Sequence, residues 1–192
     1  MRTAIASLLV LVGTVGGPMA TQPFGGTPRR IPGIIEAEDF DEGESGVAYH
    51  DVTEANEGAD YRGRTRVDIE RRSDASNGHG LGWTRAGEWI VYTVAAADPG
   101  PYTLEMPVAS AKAGGVFHVE FDGVDATGPI TVPDTGGWTT LRTIRVAGVR
   151  VPVGRSVMRV VMDTVGESKS VGDIDCFRFV RPGEPAGAPP AR

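Results

Sequence analysis

The sequence has few of the residues that build common catalytic and disulfide-bonded sites. Among its 192 residues there is one cysteine, Cys176, so no disulfide can form within the chain. Three histidines, His50, His79 and His118, lie far apart and lack the spacing of zinc ligands. No glycine-rich phosphate loop or nucleophile motif is present. These absences argue against zinc chemistry, phosphoryl transfer and acyl transfer.

Basic residues are also in the minority, and they do not cluster. The chain carries 19 Lys and Arg against 25 Asp and Glu, for a formal net charge of -6. Without a basic stripe or tail, neither nucleic acid nor an anionic membrane surface is an expected partner. A neutral or calcium-loaded partner fits this charge balance better.

Long apolar runs are scarce, and the one that stands out lies at the amino terminus. Residues 1–20 combine a basic Arg2, an apolar run over 4–15 and small residues at 16, 17 and 20, which is typical of a signal peptide. The alternative, a retained membrane anchor, is disfavoured because a spanning helix needs about 20 apolar residues. We therefore expect a secreted protein, extracellular or periplasmic.

Glycine and proline are abundant and mark the limits of a single folded unit. The chain has 27 glycines and 14 prolines. Residues 21–30 form a Gly/Pro-rich segment predicted to be a loose leader, and residues 182–192 form a Pro/Ala/Gly tail predicted to be disordered. The folded domain is predicted over residues 31–181.

Short alternating runs dominate this domain. In the run 116–121, alternate residues place three apolar side chains on one face, and Asp122-Gly123 permits a tight hairpin. Without a long helical period, the pattern predicts an all-β fold, an antiparallel β-sandwich or jelly roll. The predicted strands are 88–94, 102–108, 116–121, 129–132, 141–146, 156–162 and 174–180.

Tryptophans beside glycines are the first candidates for a binding site. Trp83 lies in the segment 80–84 and Trp138 in 134–139, each next to glycine where a strand is predicted to begin. Small neighbours leave an indole face open to a flat partner such as a sugar ring. Plain packing against the core is the competing interpretation, and the spacing leaves both open.

Two pairs of carboxylates are the second candidates. Glu36 and Glu38, like Asp173 and Asp175, are two residues apart, which places each pair on one face of a strand about 6.5 Å apart. Such pairs can form a solvated edge, an oxygen cage for Ca²⁺, or the acid and base of a glycosidase. The spacing does not decide among them.

Eight blocks of sequence follow one another along the folded domain: IEAEDF, YHD, ANEGADYR, VDIE, GWTRAGEWIVYTV, GPYTLEMPVAS, FHVEFDG and TGGWTTLRTI. In this order they resemble the family 6 carbohydrate-binding modules. This resemblance implies a β-jelly roll that binds β-linked polysaccharide such as xylan or β-glucan without catalysis. Members of the family usually accompany a glycoside hydrolase, which here would be encoded separately.

The resemblance also implies roles for particular residues. Trp83 and Trp138 correspond to the aromatic pair that sandwiches a sugar, and Asp173 stands where the family usually has asparagine. An ionised aspartate accepts hydrogen bonds but cannot donate them as an amide does. Glu36, Glu38 and Asp175 correspond to the family's structural calcium ligands.

Further assignments stay open. Trp89 with Glu70 corresponds to a second cleft that some family members carry. Two other classes of protein also fit the sequence: a small glycoside hydrolase, and a cell-surface module that binds protein. Release of reducing ends from polysaccharide separates the first from a binding module, and competition by free oligosaccharide separates the second.

Overall fold

Strands form nearly all of the regular structure. The computed structural model describes residues 21–54, 56–58 and 61–184, with one short 3-10 turn at Phe24–Gly26. No helix in these ranges has the length and apolar character required to cross a membrane. The strands are β1 (Arg29–Ile31), β2 (Gly33–Glu36), β3 (Tyr49–His50), β4 (Ile69–Arg71), β5 (His79–Leu81), β6 (Trp89–Ala96), β7 (Tyr102–Ser110), β8 (Val116–Phe121), β9 (Val124–Asp125), β10 (Ile130–Thr131), β11 (Gly137–Val149), β12 (Gly154–Thr164), β13 (Asp173–Ile174) and β14 (Cys176–Val180).

The strands form two sheets. The first sheet has the order β1-β6-β12-β8-β10, with β3 also paired to β6 and β9 to β8. The second sheet has the order β2-β14-β7-β13-β5-β4, with β11 on the other side of β7. All pairings between these strands are antiparallel except that of β1 with β6.

The core lies between the inward faces of the two sheets. In β8 the predicted alternation holds, because Phe117, Val119 and Phe121 are buried while the residues between them are only partly covered. Tyr92 of the first sheet meets Phe177 of the second edge to face, with ring centroids 5.6 Å apart. Burying alternate faces of two such sheets is what stabilises a sandwich. The predicted all-β, antiparallel sandwich is confirmed.

Residues 21–30 belong to the folded unit and do not precede it as a loose leader. Arg29 pairs with Val94 in the first sheet, and the Thr21 hydroxyl donates to Asp41 over 2.8 Å. The Phe24 ring packs under the guanidinium of Arg62 at 4.5 Å. Residues 21–30 are therefore part of the domain that was predicted to start at residue 31. The predicted signal peptide and residues 185–192 of the predicted tail lie outside the described residues.

Five predicted strands match observed strands to within two residues at each end, and two differ more. The run 141–146 is part of β11, which spans Gly137–Val149, and the run 174–180 divides at Asp175 into β13 and β14. The division matters for the site because β13 then pairs with both β5 and β7. Ile174 lies opposite Leu81 in β5, whose neighbour Gly80 lies opposite Glu70 in β4. Residues about a hundred positions apart thus meet at one end of the second sheet.

Candidate functional site

A cavity of about 330 Å³ opens at this end of the second sheet. This volume lies within the usual range for ligand-binding sites in proteins. Its lining contains two tryptophans, two carboxylates, two cations and two serines: Trp83, Trp138, Glu70, Asp173, Arg85, Lys169, Ser168 and Ser170. The sequence-predicted residues Trp83, Trp138 and Asp173 are therefore brought together in space.

The two tryptophans reach the cavity from unusual backbone. Trp83 has a left-handed φ of 49° and remains 40% exposed. Bulky residues rarely adopt this conformation, which costs on the order of 1–3 kcal/mol and is retained where surrounding structure requires it. Trp138 follows the turn at Gly136, whose φ is 90° and whose amide donates to Asp134 over 2.8 Å. Each indole is thus held at the end of a strand, not within an apolar run.

Beneath the cavity lies the buried guanidinium of Arg72, whose side chain is only 2% exposed. Its Nη1 donates to Glu70 over 2.7 Å and to Asp173 over 2.8 Å. Its Nη2 donates to the backbone carbonyl of Trp138 over 2.7 Å, and Nε and Nη2 together bind Asp74. One side chain therefore fixes both cavity carboxylates and the backbone of one tryptophan.

Asp173 is the most buried of these carboxylates, at 4% exposure. The pKa of its carboxyl is raised to about 7, chiefly by desolvation and then by the nearby Glu70, while Arg72 opposes both. Gly82 keeps the space above this pair open, because a Cβ there would lie 3.3 Å from the Cβ of Glu70. The floor of the cavity is thus polar but has its carboxylates engaged.

Thr84 joins the two loops on either side of the cavity mouth. Its hydroxyl donates to the carbonyl of Gly172 over 2.7 Å and accepts from the Gly172 amide over 3.0 Å. The Ser170 hydroxyl donates to the carbonyl of Thr84 over 2.9 Å. These buried bonds hold the loop that follows β5, with Trp83, against the loop before β13, with Lys169.

Sequence reasoning missed several lining residues and the support beneath them. Arg72 lies two positions after Glu70, which is the spacing of one strand face, and this signal could have suggested an ion pair. For Arg85, Ser168 and Lys169 there was no such signal, because their proximity depends on how the two loops meet.

The predicted second cleft of Trp89 and Glu70 is not brought together. Glu70 is in β4 of the second sheet and lines the cavity with Trp83, whereas Trp89 is in β6 of the first sheet. Trp89 borders a shallow groove of about 430 Å³, where the Arg159 guanidinium lies 5.6 Å from its ring centroid. Strand order, which residue spacing does not reveal, separates the two residues.

Trp89 also borders a narrow cavity of about 20 Å³ that contains Asp51, Asp68 and Glu88. Burial raises the pKa of Glu88 to about 7 and that of Asp68 to about 6, and neighbouring carboxylates add to both shifts. A space of this size holds about one water molecule. It is too small for a sugar ring.

Two of the three predicted calcium ligands, Glu36 and Asp175, lie together outside the sugar-sized cavity. One oxygen each of Glu36 and Asp175, with the Cys176 sulfur, fall within 4.8 Å of one another. The Ser76 hydroxyl donates to both carboxylates. Glu38 is fully buried; its Oε1 accepts from Asn77 over 3.0 Å, while its Oε2 has no hydrogen-bond partner among the described residues.

The chemistry of these donors fits a hard cation. Burial raises the pKa of Glu38 to about 7 and also raises that of Glu36, as expected for carboxylates that lack a strong counter-charge. Burial likewise raises the pKa of the Cys176 thiol, so the sulfur stays protonated and is a poor ligand. Carboxylate oxygens are the ligands that Ca²⁺ prefers. The Glu38 oxygen without a hydrogen-bond partner among the described residues is therefore available to coordinate such an ion.

Residues 57–181 match the sequence profile of the carbohydrate binding module (family 6). The chain belongs to this family. Among solved structures it is similar to a β-1,3-glucan-binding module from Bacillus halodurans, with 22% identity and a TM-score of 0.59 over 80% of this chain and 98% of that one. It is also similar to the module CBM6cm-2 of Cellvibrio mixtus lichenase 5A, solved with cellotriose, at 24% identity and a TM-score of 0.56 over 78% and 97%. The predicted family is confirmed, and these structures share its fold.

One curated relative matches this chain over a small part of the relative's own length. The alpha subunit of clotting factor G from Tachypleus tridentatus is 33% identical over 86 residues, which are 44% of this chain. The match spans 13% of the length of that relative.

Loss of the Arg72 guanidinium should destabilise the module. In Arg72→Ala, Asp173 is left buried without its partner, and we expect the free energy of unfolding to fall by about 3–5 kcal/mol. Arg71→Ala is the matched control, because the neighbouring Arg71 is exposed and its loss should change that energy by less than about 0.5 kcal/mol. Chemical denaturation measures both, and equal midpoints for the two variants would contradict the role given to Arg72.

Proposed function

We propose that the module binds a β-linked polysaccharide by holding one sugar ring between Trp83 and Trp138. The observation that carries this proposal is the cavity itself, where two partly exposed indoles stand above a polar floor fixed by Arg72. A pyranose ring has apolar C–H faces and a rim of hydroxyls. Indole rings suit the faces, and a few oriented polar groups suit the rim.

The β-linkage is supported by what related modules bind. One similar structure is described as binding β-1,3-glucan and another as a complex with cellotriose. The floor of the present cavity adds hydrogen-bonding groups from Glu70 and Asp173, which can accept from sugar hydroxyls. Stacking supplies affinity and these acceptors orient the ring.

We further propose that no glycosidic bond is cleaved. A glycosidase needs two carboxylates that flank the scissile bond. Glu70 and Asp173 instead lie side by side below the cavity, both bound to the same nitrogen of Arg72, and Asp173 is 4% exposed. The glutamates of the proposed calcium site do not line the cavity.

Export is part of the same proposal. It is supported by the apolar run at 4–15 after Arg2. A secreted module of this kind can act beside glycoside hydrolases by binding to the polysaccharide that they degrade.

We also propose a structural calcium ion bound by Glu36, Glu38 and Asp175. The clustering of Glu36 with Asp175, the buried unpartnered oxygen of Glu38 and the raised pKa of both glutamates support it. An ion there would neutralise carboxylates that sit close together and would join β2 to the junction of β13 and β14.

Removal of either cavity tryptophan should weaken sugar binding. Burial of an aromatic face is worth about 1.5–3 kcal/mol, so Trp83→Ala and Trp138→Ala should each lower affinity at least about tenfold from a parent dissociation constant of roughly 10 μM to 1 mM. Calorimetry with xylo- and gluco-oligosaccharides measures this. Trp89→Ala is the control and should bind like the parent. If both folded cavity variants bind as the parent does, the site is elsewhere.

Polysaccharides should survive incubation with the purified protein. We expect no reducing ends above background from xylan, laminarin, lichenan or agarose, because no carboxylate pair among the described residues flanks the proposed sugar position. Steady release that disappears in a folded Asp173→Asn variant would show that the cavity is an active site.

Calcium should raise the melting temperature of the module. A ligand that binds only the folded state stabilises it by about 2.7 kcal/mol at a hundredfold excess over its dissociation constant. Chelation should therefore lower the melting temperature of the parent, and should change that of Glu38→Gln much less. Identical melting of the parent with chelator and with millimolar calcium, together with no bound metal by elemental analysis, would rule the ion out.

A further inference from the structure

The charges that line the cavity are not all balanced. Glu70 and Asp173, together with Asp74, share the Arg72 guanidinium beneath the floor. On the wall, Arg85 is paired with Glu57 at 3.1 Å. Lys169 lines the same cavity, is exposed, and has no ion pair within the part of the chain that the structure describes. Among the described residues, the mouth of the cavity therefore presents one cation without a carboxylate partner.

Lys169 is held in place by its backbone. Its φ of 67° is left-handed, and its amide donates to the carbonyl of Gly166 over 3.1 Å in a tight turn. Thr84 and Ser170 then fasten this loop to the one that carries Trp83. Of the four non-glycine residues with positive φ among the described residues, two line this cavity, Trp83 and Lys169. Such strain is kept where it directs a side chain to a site.

The residue type adds a second argument. Basic residues in this chain are nearly all arginine, and Lys169 is one of only two lysines, with Lys112 the other. A lysine ammonium is a compact point charge with three donors, which suits a single carboxylate approached from the solvent side. The net charge of the chain is -6, so an acidic ligand gains nothing from the protein as a whole. Any preference for one must arise at the cavity itself.

We propose that the cavity selects a β-glycan that carries uronic acid, with a sugar ring between Trp83 and Trp138 and a carboxylate substituent bound to Lys169. This inference rests on the proposed carbohydrate-binding function and adds the substrate class. Arg85 supports the same substituent, because its pairing with Glu57 is exposed and a ligand carboxylate can share its guanidinium. A hydrogen bond between charged groups is stronger than one to a neutral hydroxyl. A glycan with a carboxylate at Lys169 should therefore bind more tightly than the same glycan without it.

The test compares two matched pairs of oligosaccharides. One pair is xylotetraose and xylotetraose with a glucuronic acid branch, and the other is cellotetraose and its analogue with a terminal glucuronic acid. Calorimetry at low salt measures the ratio of acidic to neutral affinity for the parent and for Lys169→Gln, Lys169→Arg and Lys112→Gln. Lys112 is exposed and does not line the cavity, so it is the matched control.

We expect the parent to bind the acidic member of at least one pair about two- to fivefold more tightly, as for a partly screened ion pair. Lys169→Gln should abolish this preference while its affinity for the neutral member stays within about twofold, and Lys169→Arg and Lys112→Gln should retain the preference. Salt at about 0.5 M should reduce the preference in the parent, because it screens exposed charges.

Three results would overturn the inference. Equal binding of acidic and neutral sugars by the parent would leave the carbohydrate-binding function intact but would refute the proposed preference for uronic acid. An equal loss for both sugars in a folded Lys169→Gln would show that the ammonium binds a sugar hydroxyl. No binding of any of the four sugars, nor of β-glycan polymers, by the folded parent would refute the proposed function and this inference with it.

Discussion

The buried Arg72 guanidinium is the interaction on which the binding cavity depends. It follows directly after β4 and bonds to Asp173 at the start of β13 and to the carbonyl of Trp138 in β11. A carboxylate as buried as Asp173 would be costly without such a partner, and a guanidinium as buried as this one would be equally costly alone. The pairing of Arg72 with Asp173 therefore favours the one arrangement of β4, β11 and β13 in which both buried charges have a partner. The same arrangement holds the floor and one wall of the cavity rigid before a ligand arrives, which lowers the ordering cost of binding.

Two groups of carboxylates in this protein differ in the positive charge beside them. In the cavity, the buried guanidinium of Arg72 bonds to Glu70, Asp74 and Asp173 at once. Around Glu38 such a cation is missing among the described residues: the charge of Arg29 lowers the pKa of Glu36 less than burial raises it, and an oxygen of Glu38 is buried without a hydrogen bond within the part of the chain that the structure describes. The first group is held by a cation of the chain itself, whereas the second would need a proton or a metal ion. This contrast, more than the number of acidic residues, distinguishes the proposed sugar site from the proposed calcium site.

Local residue patterns predicted much of the fold but few of the residues that line the cavity. The alternation at 116–121 is a short-range property, so β8 was predicted correctly, whereas the glycine neighbours of Trp83 and Trp138 left open whether these residues pack in the core. Strand order is a long-range property. It places Glu70 with Trp83 instead of Trp89, and it brings Lys169 to the mouth of the cavity, neither of which residue spacing reveals. The segment 21–30 was misjudged because its glycines and prolines hide the contact between Phe24 and Arg62.

The choice of sugar must then lie in the loops. Modules only 22% and 24% identical to this chain share its fold, so the sandwich tolerates wide change in sequence while the strands keep their places. The cavity wall is different, because Trp83 and Lys169 both hold left-handed backbone and are joined through Thr84 and Ser170. A change in either loop alters the other through these buried bonds, so the indole of Trp83 and the ammonium of Lys169 shift together. Specificity can therefore change through a few loop residues while Arg72 keeps the floor beneath them unchanged.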